Sequence, residues 1–197
     1  MFRTLLFLFF LIVACNNPSS IKKQQINITI SIQPFEDVGD EAIKYVQASL
    51  KKYYPYVEVK KSIPLPNQAY YAARKRYRAD SQIHFLAKQT PKGFVTIGLT
   101  NEDISTTKNS LPDWGVMGLG YQPGLACIAS TYRLSRTERK VQLFKVAIHE
   151  LGHTQGLAHC TEKFCYMRDA KGRNPTNEET QFCTSCSTKL KEKGWTL

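Results

Sequence analysis

The run His149-Glu150-Leu151-Gly152-His153-Thr154-Gln155-Gly156-Leu157-Ala158-His159 constrains the fold more than any other part of the chain. Upstream of it, Val141, Phe144, Ala147 and Ile148 recur at helical spacing, so the run begins on a helix already under way. His149 and His153 lie one turn apart and project from one face, where two imidazoles can share an ion. Glu150 falls about 100° around the helix from His149, within reach of a water at that ion without binding it. Gly156 suits the left-handed conformation that ends a helix, and the reversal would carry His159 back as a third ligand. Three protein ligands leave a fourth position for water, the pattern of catalytic rather than structural zinc. The chemistry expected is peptide-bond hydrolysis, with Glu150 taking a proton from water and passing it to the leaving amine. His84, the remaining histidine, stands among Ile83, Phe85 and Leu86 and is read as structural.

The rest of the chain suggests a single α/β domain over residues 25–197. Ile26 to Gln33 alternates apolar and polar residues as a half-buried strand, stopped by Pro34. A helix is expected from an Asp40 cap to Tyr53, a strand over Val57 to Ile63, and a second helix over Asn67 to Lys88. On that second helix Arg74, Lys75, Arg76 and Arg78 would form a solvated basic face. Further strands are expected over Phe94 to Leu99, Trp114 to Tyr121 and Gly124 to Thr131, the last two joined by the turn-forming Gln122-Pro123-Gly124. Strands alternating with helices point to a mixed, mostly parallel twisted sheet with packed helices. Cys127, between Ala126 and Ile128, reads as a small buried hydrophobe.

The first fourteen residues stand apart. One positive charge at Arg3 precedes the apolar run Leu5 to Ala14, too short to span a bilayer comfortably and matching a secretory signal. Its end, Ile12-Val13-Ala14-Cys15, resembles the lipobox of bacterial lipoproteins, in which the cysteine is acylated after the signal is removed. The expectation is a signal peptide over residues 1–14, a polar tether over 15–24, and a chain held at Cys15 on the bacterial cell envelope, outside the cytoplasm. The net charge of +11 would sit comfortably beside anionic lipid. No nucleic-acid partner is expected, because the basic residues are dispersed and no RNP or classical zinc-finger pattern is present. A chain of 197 residues with 42% hydrophobic and 22% charged residues excludes wholesale disorder and a multi-span membrane protein. A monomer is expected.

His149-Glu150-x-x-His153-x-x-Gly156-x-x-His159-Cys160, then Cys165-x-Met167, then Cys183-x-x-Cys186, resembles the archaemetzincins, a branch of the metzincin zinc peptidases. Ile97-Gly98-Leu99-Thr100-Asn101-Glu102-Asp103-Ile104, Gly118-Leu119-Gly120 and Ser130 to Leu134 extend the likeness, which covers roughly 35 to 197. The resemblance implies a zincin-like fold, catalytic zinc on His149, His153 and His159, Glu150 as general base, and Met167 in a turn beneath the metal. It also implies a second, structural zinc on Cys160, Cys165, Cys183 and Cys186, two zinc ions per chain, clipping a small C-terminal subdomain. Oxidation of those thiols to disulfides is the alternative in an exported protein. In metzincins a cleft strand pairs with the substrate, and by position that role falls to Trp114 through Tyr121. No oxyanion donor is identified; Tyr166 is merely adjacent to Met167. The alternative to an enzyme is a non-catalytic zinc-stabilised binding module at a membrane surface, which would have no need of Glu150.

Overall fold

The structure, a computed structural model, describes residues 28–197. The expected signal peptide, Cys15 and the tether lie outside the described residues. Among the described residues nine strands and four α-helices follow in chain order: β1 (Thr29–Pro34), α1 (Asp40–Leu50), β2 (Val57–Val59), β3 (Tyr70–Tyr71), β4 (Arg76–Arg78), α2 (Ala79–Lys88), β5 (Phe94–Thr100), β6 (Ile104–Lys108), β7 (Leu111–Val116), β8 (Gly118–Gly120), β9 (Ala126–Ser130), α3 (Arg139–Thr154) and α4 (Thr184–Lys191).

The main sheet runs β2-β1-β5-β9-β8, with every pair parallel except β8 against β9. Its two faces are sorted by strand alternation. In β9, Cys127 and Ala129 join Ile30, Ile32, Ile97 and Leu99 beneath α1 and α3, whereas Ala126 and Ile128 face Ile83 and Leu86 of α2. Cys127 is fully buried, as expected of a packing residue. The α2 face has no room at Gly98, where an added Cβ would lie 2.6 Å from Ile128 Cδ1 and 2.7 Å from Leu86 Cδ1.

The segment 67–78 departs from the expected long helix. Only Ala79–Lys88 is helical; before it come two short turns, β3 and β4, with Lys75 in the left-handed region at φ 50°. The basic residues explain why. Arg76 and Arg78, two apart, share a face only in an extended chain. There Arg76 Nε lies 3.1 Å from Asp103 Oδ2 and Nη1 lies 3.4 Å from Asp113 Oδ2, while Arg78 Nη1 donates to Pro112 O at 2.6 Å. The Arg76–Arg78 part of the run expected to be a solvated face is therefore half-buried and ion-paired, while Arg74 and Lys75 are exposed as expected. It holds together a second sheet, β3-β4-β6-β7. The polar run of β6 carries no apolar alternation and is not apparent from the sequence.

Of three smaller differences, the first two share one cause, pairing partners that periodicity cannot show. The expected strand Trp114–Tyr121 divides at Met117, with β7 pairing β6 in the second sheet and β8 pairing β9 in the first. Of Val57–Ile63, only β2 pairs as a strand, and Ile63 makes an isolated bridge to Phe35. Gly39, not Asp40, occupies the N-cap of α1; Asp40 and Glu41 fill the first turn, where their charge favours the helix amino end.

The closeness at Gly98 yields a stability test. Gly98→Ala should overpack the contact between β5 and α2 and lower unfolding stability by about 1–3 kcal/mol. Urea denaturation should show this as a lower midpoint at unchanged slope.

Candidate functional site: three imidazoles, a carboxylate and four thiols

Helix α3 is buried along most of its length, from Gln142 to Thr154. It ends in a left-handed glycine reversal: Gly156, at φ 89°, donates to His153 O at 2.8 Å, and Leu157 donates to Gly152 O at 3.0 Å. The reversal returns His159 to the helix. His153 Nε2 then lies 3.0 Å from His149 Nε2 and 3.3 Å from His159 Nε2.

The other ring nitrogens fix the tautomers. His149 Nδ1 donates to Tyr166 O at 2.5 Å and His153 Nδ1 donates to Leu157 O at 2.8 Å. Both therefore present an unprotonated Nε2 to the common point. Lone pairs this close repel unless a cation lies between them. Tetrahedral zinc with Zn–N of about 2.0–2.1 Å separates its nitrogens by about 3.3–3.4 Å, so the three histidines fit that ion. Burial, and secondly the neighbouring His153 ring, push His149 down to about 3, which keeps its imidazole neutral and available as a ligand.

Glu150 is almost fully buried, and desolvation raises its carboxyl to about 8. It lies against β8. A Cβ at Gly118 would stand 2.6 Å from Glu150 Oε1, and one at Gly120 would stand 2.7 Å from Glu150 O. These two glycines, two apart on an edge strand, admit the carboxylate; their spacing is the only sign of this in the sequence. A third close approach lies below the imidazoles, where a Cβ at Gly152 would fall 2.3 Å from Met167 Sδ. Met167 is fully buried there, and its carbonyl accepts from Cys160 N at 2.7 Å.

Imidazoles and carboxylate line a cavity of about 710 Å³ between β7–β8 on one side and residues 168–179 on the other. Tyr166 does not reach it. Its hydroxyl donates to Thr180 O at 2.7 Å and meets Tyr53 Oη at 3.1 Å, so only its main-chain carbonyl serves the site. His84 is exposed on α2 beside Tyr121, apart from the cluster.

The four cysteines converge as well. Cys160, Cys165, Cys183 and Cys186 place their sulfurs within 4.8 Å of one another. Cys160 Sγ and Cys183 Sγ are 3.6 Å apart, far beyond a disulfide bond of about 2.05 Å and near the sulfur spacing of a tetrahedral thiolate site with Zn–S of about 2.3 Å. Cys165 Sγ accepts from Cys183 N at 3.3 Å and from Met167 N at 3.5 Å, which fix its position in the cluster. The cluster joins the start of α4 to the segment carrying His159 and Met167.

The depressed His149 pKa has a sign that can be checked. A histidine held neutral stabilises the fold above its unfolded value near 6.5, and that contribution is lost as pH falls from there through about 3. In the metal-free protein, NMR titration should find His149 still unprotonated at pH 5; a midpoint near 6.5 would contradict the buried, carbonyl-anchored ring.

Comparison with known proteins agrees with this geometry. The sequence profile described as Peptidase family M54 matches residues 124–192. The archaemetzincin of Halobacterium salinarum is 32% identical over 171 residues, covering 80% of this chain and 96% of that protein. The archaemetzincin of Methanocaldococcus jannaschii is 27% identical, covering 84% and 94%. Among solved structures, the archaemetzincin of Archaeoglobus fulgidus, crystallised with malonate, superposes with a TM-score of 0.71 at 28% identity over 82% of this chain and 99% of its own. That of Methanopyrus kandleri shares the fold, with a TM-score of 0.73 at 23% identity over 88% and 98%. With the imidazole cluster at the end of α3 and the four-thiol cluster both in place, the chain belongs to the archaemetzincins, the zinc metallopeptidases of family M54.

Proposed function

We propose that His149, His153 and His159 hold the catalytic zinc, that Glu150 is the general base, and that Cys160, Cys165, Cys183 and Cys186 hold a second, structural zinc. The observation that carries this reading is the convergence of three Nε2 atoms beside one buried carboxylate at the floor of a cleft. Zinc bound there supplies Lewis acidity to a water and to the scissile carbonyl. Glu150 accepts the proton of the attacking water and returns it to the leaving nitrogen. Its buried position keeps the carboxylate poorly solvated and basic, and Gly118 and Gly120 leave it space to face the reacting atoms. Beyond β8 no further strand pairs among the described residues, so an extended peptide can add to that edge and be aligned across the imidazoles. Gly118–Gly120 lies within the Trp114–Tyr121 segment expected to pair with substrate.

The proposal extends to location. Among the described residues no helix is long and apolar enough to cross a membrane. The basis for an anchor is the segment Ile12-Val13-Ala14-Cys15 behind an apolar run. We place the enzyme on the bacterial cell envelope outside the cytoplasm, a monomer held by acylated Cys15.

Glu150→Ala should retain zinc and lose about 10²–10⁴ in turnover of a peptide substrate. Native mass spectrometry should count two zinc ions in both proteins; a variant that hydrolyses peptide at the original rate would sink the mechanism, and a single zinc would remove the structural one. In the native bacterial host, Cys15→Ser should move the protein from the membrane fraction to the soluble fraction, and an unchanged distribution would refute lipid anchoring.

A further inference from the structure

The cleft wall opposite β8 carries none of the three imidazoles and none of the four thiols. It is tied to α3 by two side chains that the proposed reaction does not use. Lys145, one turn before His149 and on the same helix face, donates from Nζ to Thr176 O at 2.6 Å and to Glu179 O at 2.7 Å. Gln142, one turn earlier, is buried; its Oε1 accepts from Asn174 Nδ2 at 3.0 Å and its Nε2 donates to Asn177 Oδ1 at 2.8 Å. Asn174 Oδ1 in turn accepts from Thr176 Oγ1 at 2.7 Å and from Thr176 N at 3.2 Å. Thr176 and Glu179 are both buried, so these bonds form where water does not compete freely. Further along the wall, Gly172 rests on Trp114 of β7, close enough that a Cβ would stand 3.1 Å from Cζ2.

A lysine on a buried helix ordinarily extends its ammonium to water. Here the ammonium is spent on two main-chain carbonyls of a segment that makes no regular secondary structure. Lys145, Asn174, Thr176 and Glu179 all line the cavity that holds the imidazoles. The distance between α3 and this wall therefore depends on the Lys145 bonds.

We propose that Lys145 is a positioning residue: by fixing Thr176 and Glu179 to α3 it sets the width of the subsite that receives a substrate side chain between helix and wall. The assignment rests on the peptidase reading above. Gln142 supports the same wall through Asn174 and Asn177, and the two act as one unit.

The test uses zinc-loaded protein and a series of peptides lengthened one residue at a time on each side of the cleaved bond. Lys145→Met keeps the aliphatic stem without the donors. It should raise KM by about tenfold for peptides that reach the wall while changing kcat far less, since a displaced wall weakens binding away from the reacting atoms. Lys145→Arg, which keeps charge and donors, should recover most of the loss. Amide exchange should quicken at residues 174–179 in Lys145→Met and stay slow in α3. An equal loss at every peptide length, or no change in KM, would overturn the assignment. Should Lys145→Met fail to fold, Gln142→Leu must show the same length-dependent rise in KM, and its absence would be equally fatal. Glu150→Ala run in parallel separates the two ideas. If it is active, the catalytic reading fails; if it is inactive while Lys145→Met is length-independent, only the positioning role fails.

Discussion

Two main-chain hydrogen bonds at the end of α3 underlie the rest of the site. The reversal at Gly156 spends the carbonyls of Gly152 and His153 on Leu157 and Gly156. In doing so it points Leu157 O back at His153 Nδ1, so the bond pattern that ends the helix also sets the tautomer of one imidazole. A residue with a Cβ at position 156 would be strained at φ 89°. Without the reversal, His159 would continue away from the helix and the third nitrogen would be lost.

Around that turn the site is built by close approach, and glycine is the means. Gly152 lets Met167 lie directly under the helix, and with it Tyr166, whose carbonyl holds His149. Gly118 and Gly120 let β8 lie against Glu150. Each contact replaces a side chain with a neighbouring chain segment, so the cleft floor is made of three elements in contact rather than one helix facing solvent. Burial then does the electrostatic work: it removes solvation from His149 and Glu150, keeping one neutral and the other basic.

The helix–turn–histidine geometry was legible in the sequence because each requirement is local. A four-residue spacing defines a face, and a glycine defines a stop. The alternation of β1 and the buried Cys127 were legible for the same reason. The region 67–78 was not, because its conformation is decided by Asp103 and Asp113, 25 or more residues away, which pull Arg76 and Arg78 onto one face of a strand. The division of Trp114–Tyr121 between two sheets is likewise a matter of partners, as is β6. Lys145 gave no signal, since a lysine in an amphipathic helix is ordinarily solvated, and its acceptors are main-chain atoms that no residue type announces.

The two candidate metal-binding sets are adjacent in the chain, and this ties the geometry of the imidazoles to the state of the thiols. His159 precedes Cys160, and Met167 follows Cys165 by two residues. Closing Cys160 and Cys183 into a disulfide would draw their sulfurs together by about 1.5 Å from the present 3.6 Å. Cys160 also donates its main-chain N–H to Met167 O, so that movement would be transmitted both to the third imidazole and to the turn beneath the helix. The proposed four-thiolate zinc would hold these segments at the spacing observed, and bound thiolates are poor substrates for oxidation. The proposed thiol clip would therefore act on the cleft as well as on the C-terminal segment that carries α4. In an oxidising compartment, a metal held by the four thiols would also protect the position of His159.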